Sequence, residues 1–394
     1  MTTKNNSLVI KGLTVHPEEG KLSGGGVFME EGVIKDIFEN DQEGKYSGVE
    51  NICFPPLCHL IPGMINIHIH GGNGGDVMDG DMEALRKIAA SAAASGVTSF
   101  LATTMTEEIT NIERALETVK EYINQQETMP GARIIGVHME GPFLSPEKKG
   151  AQRADLMRVP DIDLFRRWQE ISGDSVRVVT IAPELDNGLA FIEYLKNHNV
   201  IASIGHSDGS YEEAEAGVAA GAGQGTHLFN AMRGIHQRAP GTAGALLLDD
   251  RVTTELIVDG IHLHPAIVRL VLKTKGREKL ILITDGIRAT GLADGEYELG
   301  GQKVTVGNGA ARLVDGTLAG SILTMNEAAR NTISFTGCGW DDIIVMTSEN
   351  PARQLGLFDR KGSIAKGKDA DVTVVDDKWQ ILLTVSGGRV VYRK

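Results

Sequence analysis

The segment Ile65-Asn66-Ile67-His68-Ile69-His70-Gly71 reads as a strand that ends by offering two imidazoles to one side. Residues i and i+2 of a strand share a face, so His68 and His70 can grip one metal ion together. Four later segments end in Glu140, His206, His227 and Asp285. Neutral imidazole and carboxylate oxygen are ligands that zinc and iron accept. One ion needs three or four such groups, and six suggest two ions about 3.5–4 Å apart. Glu140 is the natural bridge. One ion takes His68, His70, Glu140 and Asp285, and the other takes Glu140, His206 and His227. Such a pair ionises water near neutral pH and polarises a carbonyl. Asp285 has a second role open to it beside ligation: it can take a proton from water and pass it to a leaving nitrogen.

Each of these residues also has an ordinary structural reading. A lone histidine at a strand end is usually a satisfied polar group, and an aspartate before Gly286 is often a turn or cap residue. The shared register separates the two readings, because every candidate falls at the C-terminal end of an apolar run. Strand-like runs begin near Met64, Val97, Ile134, Val176, Val200, Gly223, Thr254 and Leu280. Helical segments are predicted between most of them, at residues 82–95, 107–125, 161–170, 188–197, 211–220 and 265–274. Alternation of buried β-branched strands with helices points to a parallel sheet. Eight repeats predict closure into an α/β barrel of the (β/α)₈ type, whose chemistry sits at the C-terminal strand ends. An open doubly wound sheet is the competing topology.

Residues 1–60 and 355–394 are rich in short strand patterns and are expected to pack together as a small β-sandwich domain beside a catalytic barrel at 61–354. An insertion at about 291–319 alternates like a hairpin, a helix is expected at 324–334, and residues 342–356 read as helical.

At 394 residues the chain is long enough for one large domain and a smaller one. Its formal charge of −13 gives no support to nucleic-acid or anionic-membrane binding, so an anionic substrate needs a local positive site. There are 48 glycines, above the usual ~7%, clustered at turns without a three-residue period. Cys53, Cys58 and Cys338 are too few and too scattered for a disulfide framework and fit a reducing compartment. The start, residues 1–7, is polar with no apolar signal region behind it, and no run of 18 apolar residues occurs. A cytoplasmic location is expected. Gly71-Gly72-Asn73-Gly74-Gly75 lacks the Lys-Ser/Thr of a Walker loop and is read as an active-site turn.

Several motifs resemble the N-acetylglucosamine-6-phosphate deacetylase family of the amidohydrolase superfamily. They are the run from Pro62 to Gly71, His138-Met139-Glu140-Gly141-Pro142, Lys148-Lys149-Gly150-Ala151, Gly205-His206-Ser207, Thr226-His227-Leu228-Phe229-Asn230-Ala231-Met232, Asp259-Gly260-Ile261-His262 and Thr284-Asp285-Gly286. The tail from Gly362 to Asp371 supports only the superfamily. The resemblance implies a two-metal hydrolase (zinc or iron) that removes the acetyl group of N-acetylglucosamine 6-phosphate. Asp285 is then the general base and acid. Ala151, Asn230, Ala231 and His262 would meet the sugar and phosphate, and Leu318, Ala319 and Gly320 would line the acetyl pocket. The resemblance also implies a homodimer in which Arg238 reaches the neighbouring site. From the residues alone, Arg233, Arg238, His236 and the Lys148-Lys149 pair are equally readable as solvated surface groups. The alternatives are the galactosamine epimer, another small amide, or a non-catalytic binding protein.

Overall fold

The computed structural model describes residues 7–39, 45–46 and 48–394. The polar start at residues 1–6 lies outside them. Eight parallel strands follow in chain order: Met64–Ile69, Val97–Thr104, Arg133–Glu140, Val176–Ile181, Ile201–Ile204, Gln224–Gly225, Thr253–Ile257 and Leu280–Ile283. Each pairs in parallel with its neighbour, so sheet order is chain order. The ring closes where Ile69 bridges Gly286. There the Asp285 amide donates to the His68 carbonyl at 3.0 Å and the His70 amide to the Gly286 carbonyl at 2.9 Å. The expected (β/α)₈ barrel is therefore present, and its closure sets the two histidines beside Asp285.

The predicted helices are found at Met82–Ala94, Ile109–Gln125, Ile162–Ser172, Gly188–Asn197, Tyr211–Ala220, Pro265–Lys275 and Met325–Thr336. A further helix, Gly241–Leu248, was not expected. Seven of its eight residues are buried, from Gly241 to Leu247, so it has no polar face and hence no helical periodicity to read. The insertion has a third strand beyond the expected hairpin: Gly295–Leu299, Gln302–Gly307 and Ala310–Leu313 run antiparallel. Asn308 and Gly309, both at positive φ, make the second turn, as an Asn-Gly pair between strands commonly does.

Head and tail strands form one mixed eight-stranded sheet. His59–Pro62 joins the two halves by pairing with both Ser7–Val15 and Val372–Val375. The sheet has its own core, including Leu8, Ile10, Val27, Leu60, Val372 and Leu383. Among the described residues no helix is long and apolar enough to cross a membrane.

The small sheet meets the barrel's last helices through stacked rings: His59 on Trp340 at 4.0 Å, and Trp340 on Trp379 at 4.4 Å. His16 donates to or accepts from His59 across 2.9 Å. Burial, then the nearby His59 and Lys21, lower the His16 pKa from 6.5 to about 4, against a weaker upward pull from Asp341. The unfolded chain therefore takes up this proton first as pH falls. The stability due to neutral His16 is present above pH 6.5 and lost between 6.5 and 4, by about 3 kcal/mol. Unfolding free energies from urea melts should fall by this amount more in wild type than in His16→Asn between pH 6.5 and 4; parallel curves would refute it.

Candidate metal centre

All six expected ligands converge at the C-terminal mouth of the barrel. Three of them, His206, His227 and Asp285, sit at left-handed φ values of 47°, 29° and 50° just past their strands. Such backbone costs of order 1–3 kcal/mol per residue, and it turns the side chains inward where a continued strand would send them outward. Glu140 lies at the centre. Its Oε1 is 2.9 Å from His227 Nε2, 3.1 Å from His206 Nε2 and 3.5 Å from His68 Nε2, and its Oε2 is 3.2 Å from His70 Nε2. Asp285 Oδ1 is 3.5 Å from His68 Nε2 and 3.2 Å from His70 Nε2.

These donors suit metal ions. Two buried triads, His68–His70–Asp285 and Glu140–His206–His227, each bring their ligand atoms within 4.8 Å of one another. A tetrahedral ion with ligands at 2.0–2.1 Å spaces those ligands about 3.3 Å apart, which matches the separations above. His68 Nε2 is buried and makes no hydrogen bond. The opposite ring atoms are held by neighbours: His68 Nδ1 by Glu255 at 3.0 Å, His70 Nδ1 by the Thr103 carbonyl at 3.2 Å, and His206 Nδ1 by the Lys148 carbonyl at 2.8 Å. Each contact places the proton on Nδ1 and leaves Nε2 facing the centre. The residues can thus hold one or two divalent ions.

Electrostatics point the same way. Burial alone would lower the pKa of His70, but Asp285 and Glu140 outweigh it and push it up to about 9. His68 is raised in the same manner by Glu140, Glu255 and Asp285 against the effect of its burial. Burial pushes Glu140 and Asp285 up, yet His68 and the other imidazoles hold both below the usual carboxylate range. A site that draws a proton onto its imidazoles also draws a cation, and the two compete.

His138 forms a third buried group with His68 and Glu255. It is not a ligand candidate, because its Nδ1 meets the Ile67 carbonyl at 3.1 Å and its Nε2 meets Thr180 Oγ1 at 2.8 Å.

A pocket of about 250 Å³ opens over the centre. Of the expected substrate residues, Ala151, Asn230, Ala231, His262, Leu318 and Gly320 line it. Ala319 is fully buried behind them, its amide donating to the Ala311 carbonyl at 3.0 Å. Arg238 is exposed and does not line the pocket of its own chain. Sequence reasoning missed Gln152, whose amide donates to Glu140 Oε2 at 2.7 Å and accepts from the Thr106 amide at 2.8 Å. It also missed Glu255, although a carboxylate inside the apolar run Thr254–Val258 was a readable conflict.

The Amidohydrolase family model matches residues 59–391. The chain belongs to the amidohydrolase family. It is 45% identical over 387 residues to the N-acetylglucosamine-6-phosphate deacetylase of Bacillus subtilis, a match covering 98% of this chain and 97% of the relative. It is 39% identical to an N-acetylgalactosamine-6-phosphate deacetylase of Escherichia coli, with 80% of this chain and 83% of that one covered. The solved structure of a mutant N-acetyl-D-glucosamine-6-phosphate deacetylase from Mycobacterium smegmatis, in complex with N-acetyl-D-glucosamine-6-phosphate, superposes with a TM-score of 0.89. That pair shares 34% identity and covers 98% of both chains.

Proposed function

We propose that this protein is a metal-dependent amide hydrolase that converts N-acetyl-D-glucosamine 6-phosphate and water into D-glucosamine 6-phosphate and acetate. The observation that carries the reading is the pair of buried triads sharing one pocket with Asp285, in a chain whose near-full-length relative in Bacillus subtilis is a deacetylase of that substrate. His68, His70 and Asp285 would hold one ion and Glu140, His206 and His227 the other, with Glu140 reaching both. When bound, the ions supply Lewis-acid polarisation and a water acidified to near neutrality.

The chain's own groups do the rest. Asp285 is held in its ionised form, so it accepts a proton from the attacking water and returns it to the amine nitrogen as the C–N bond breaks. Apolar side chains of Met105, Ile257, Leu299 and Leu318 on the pocket wall suit a methyl group and exclude bulk water. His262 is oriented by Asp259, Nδ1 to Oδ2 at 2.6 Å, so its other nitrogen is free to meet a sugar hydroxyl or phosphate oxygen.

Among the described residues no lysine or arginine lines the pocket. Arg233 is bound by Asp208 at 2.6 and 3.2 Å, and Lys148 lies 3.4 Å from the same carboxylate. A phosphate therefore needs a cation from elsewhere. Our reading is a homodimer in which Arg238 reaches the partner's pocket. The free state of Cys53, Cys58 and Cys338 agrees with a cytoplasmic location. The Escherichia coli relative makes the galactosamine epimer the second substrate to test.

The test is acetate release from the glucosamine and galactosamine derivatives, with and without phosphate, on metal-quantified protein. The gluco phosphate should be the best substrate by kcat/KM; no acetate from any phosphorylated sugar would end the proposal. Arg238→Ala should raise KM for the phosphorylated sugar about 10–100-fold, as expected for one charged hydrogen-bonding partner, and leave the unphosphorylated sugar unaffected. Mixing Arg238→Ala with Asp285→Asn protein should restore activity if the arginine acts across the dimer. A mixture no more active than its components would place Arg238 in its own site or outside any.

A further inference from the structure

Of the three imidazoles whose outer nitrogen has a partner, His68 alone rests on a carboxylate. His70 and His206 donate to backbone carbonyls, and the buried Nδ1 of His227 has no hydrogen-bond partner among the described residues. The carboxylate is Glu255, on the seventh strand, with no solvent exposure. Its Oε2 accepts from His68 Nδ1 at 3.0 Å and from the His227 amide at 3.2 Å, and its Oε1 accepts from Gln224 Nε2 at 2.7 Å. Three donors on two oxygens pin the carboxylate, and through it the His68 ring.

A buried carboxylate behind a metal-facing imidazole makes that ligand more basic and fixes its orientation. It also sets negative charge directly against the ring of His68, whereas at the other triad it meets only the backbone amide of His227. The His206 ring does not touch Glu255, and the His227 ring approaches Glu140, not Glu255.

We propose that Glu255 is a positioning residue for the ion held by His68, His70 and Asp285, setting the affinity of that ion and not of the one among Glu140, His206 and His227. This rests on the metal reading of the centre. Glu255 is not a ligand: His68 Nδ1 occupies its Oε2, and it does not line the pocket.

Glu255→Gln isolates the charge. The Gln224 side chain has an unpartnered Oε1, so flipping its amide lets it accept from the new amide group and every hydrogen bond survives. Glu255→Asp keeps the charge but draws it back from His68, and serves if the glutamine variant fails to fold. Zinc dissociation constants would be read by competition with a chromophoric chelator, with thermal melting as the check on folding. In Glu255→Gln one of two constants should rise about 10–100-fold, the other staying within about twofold. The effect should persist in a His206→Asn background and vanish in a His68→Asn background, where no ring is left to orient.

Unchanged constants, equal weakening of both ions, or an effect that survives in His68→Asn would each overturn the proposal. So would a wild-type protein holding a single ion indifferent to Glu255. Wild-type protein that takes up no zinc would instead overturn the metal reading itself, before any variant is compared.

Discussion

Asp285→Asn should lower kcat by about 10²–10⁴-fold, the range general acid–base groups supply, while folding and the His206-side ion are kept. The carboxylate sits where the eighth strand closes on the first, its backbone held by the His68 carbonyl and by the Ser321 amide at 2.8 Å. Asparagine fits the same space and keeps one oxygen for the contact that Asp285 Oδ1 makes with His70 at 3.2 Å. It cannot carry a proton from water to nitrogen. Burial pushes the Asp285 pKa up, but the positive charge of protonated His68 and His70 pulls it further down, and a divalent cation in place of those protons acts in the same sense. Asp285 therefore starts the reaction as a base, and the acidic limb of the kcat/KM profile should disappear with it. The assay must be made on protein of measured metal content, because Asp285 also belongs to the His68–His70 triad. Wild-type turnover in folded, metal-replete Asp285→Asn would remove the proton-transfer role and leave only ligation.

Glu140→Gln should act on both ions at once. This carboxylate is within 3.5 Å of all four imidazoles and is anchored by Gln152 at 2.7 Å. The amide is nearly isosteric, but it brings no charge and only one ligating oxygen. Stripping one partner from a buried charged cluster costs about 3–5 kcal/mol, or roughly 10²–10⁴ in affinity. The expected result is a metal content below one ion per chain after dialysis, and acetate release reduced by at least ~10³-fold. Excess metal should restore only part of the activity. Two tightly bound ions in this variant would show that Glu140 does not bridge. This outcome differs from that expected for Glu255→Gln, where only one ion weakens.

The barrel was legible in the sequence because each strand and most helices carry their own periodicity. The helix Gly241–Leu248 was hidden by its burial, and the third insertion strand by its shortness, four residues from Ala310 to Leu313. The six candidate ligands were legible because each lies at or just past the C-terminal end of a strand, and strand ends of a parallel barrel share one rim. Which groups stand behind them was not. Glu255 lies 187 residues from His68, and the contact follows from the seventh strand lying beside the eighth, which closes on the first. Gln152 sits in a loop with no repeating pattern, so nothing in its neighbours announces a contact with Glu140.

What the chain's order of residues determined alone was local: which runs are strands, which helices separate them, and which imidazoles and carboxylates end each run. Those properties depend on neighbours a few positions away, where alternation and apolar spacing act directly. Tertiary structure decided the distances. Only ring closure at Ile69 and Gly286 brings Asp285 to within 3.5 Å of both His68 and His70. Only the left-handed backbone at His206, His227 and Asp285 turns those side chains inward, and it persists because the packed barrel around it outweighs the strain.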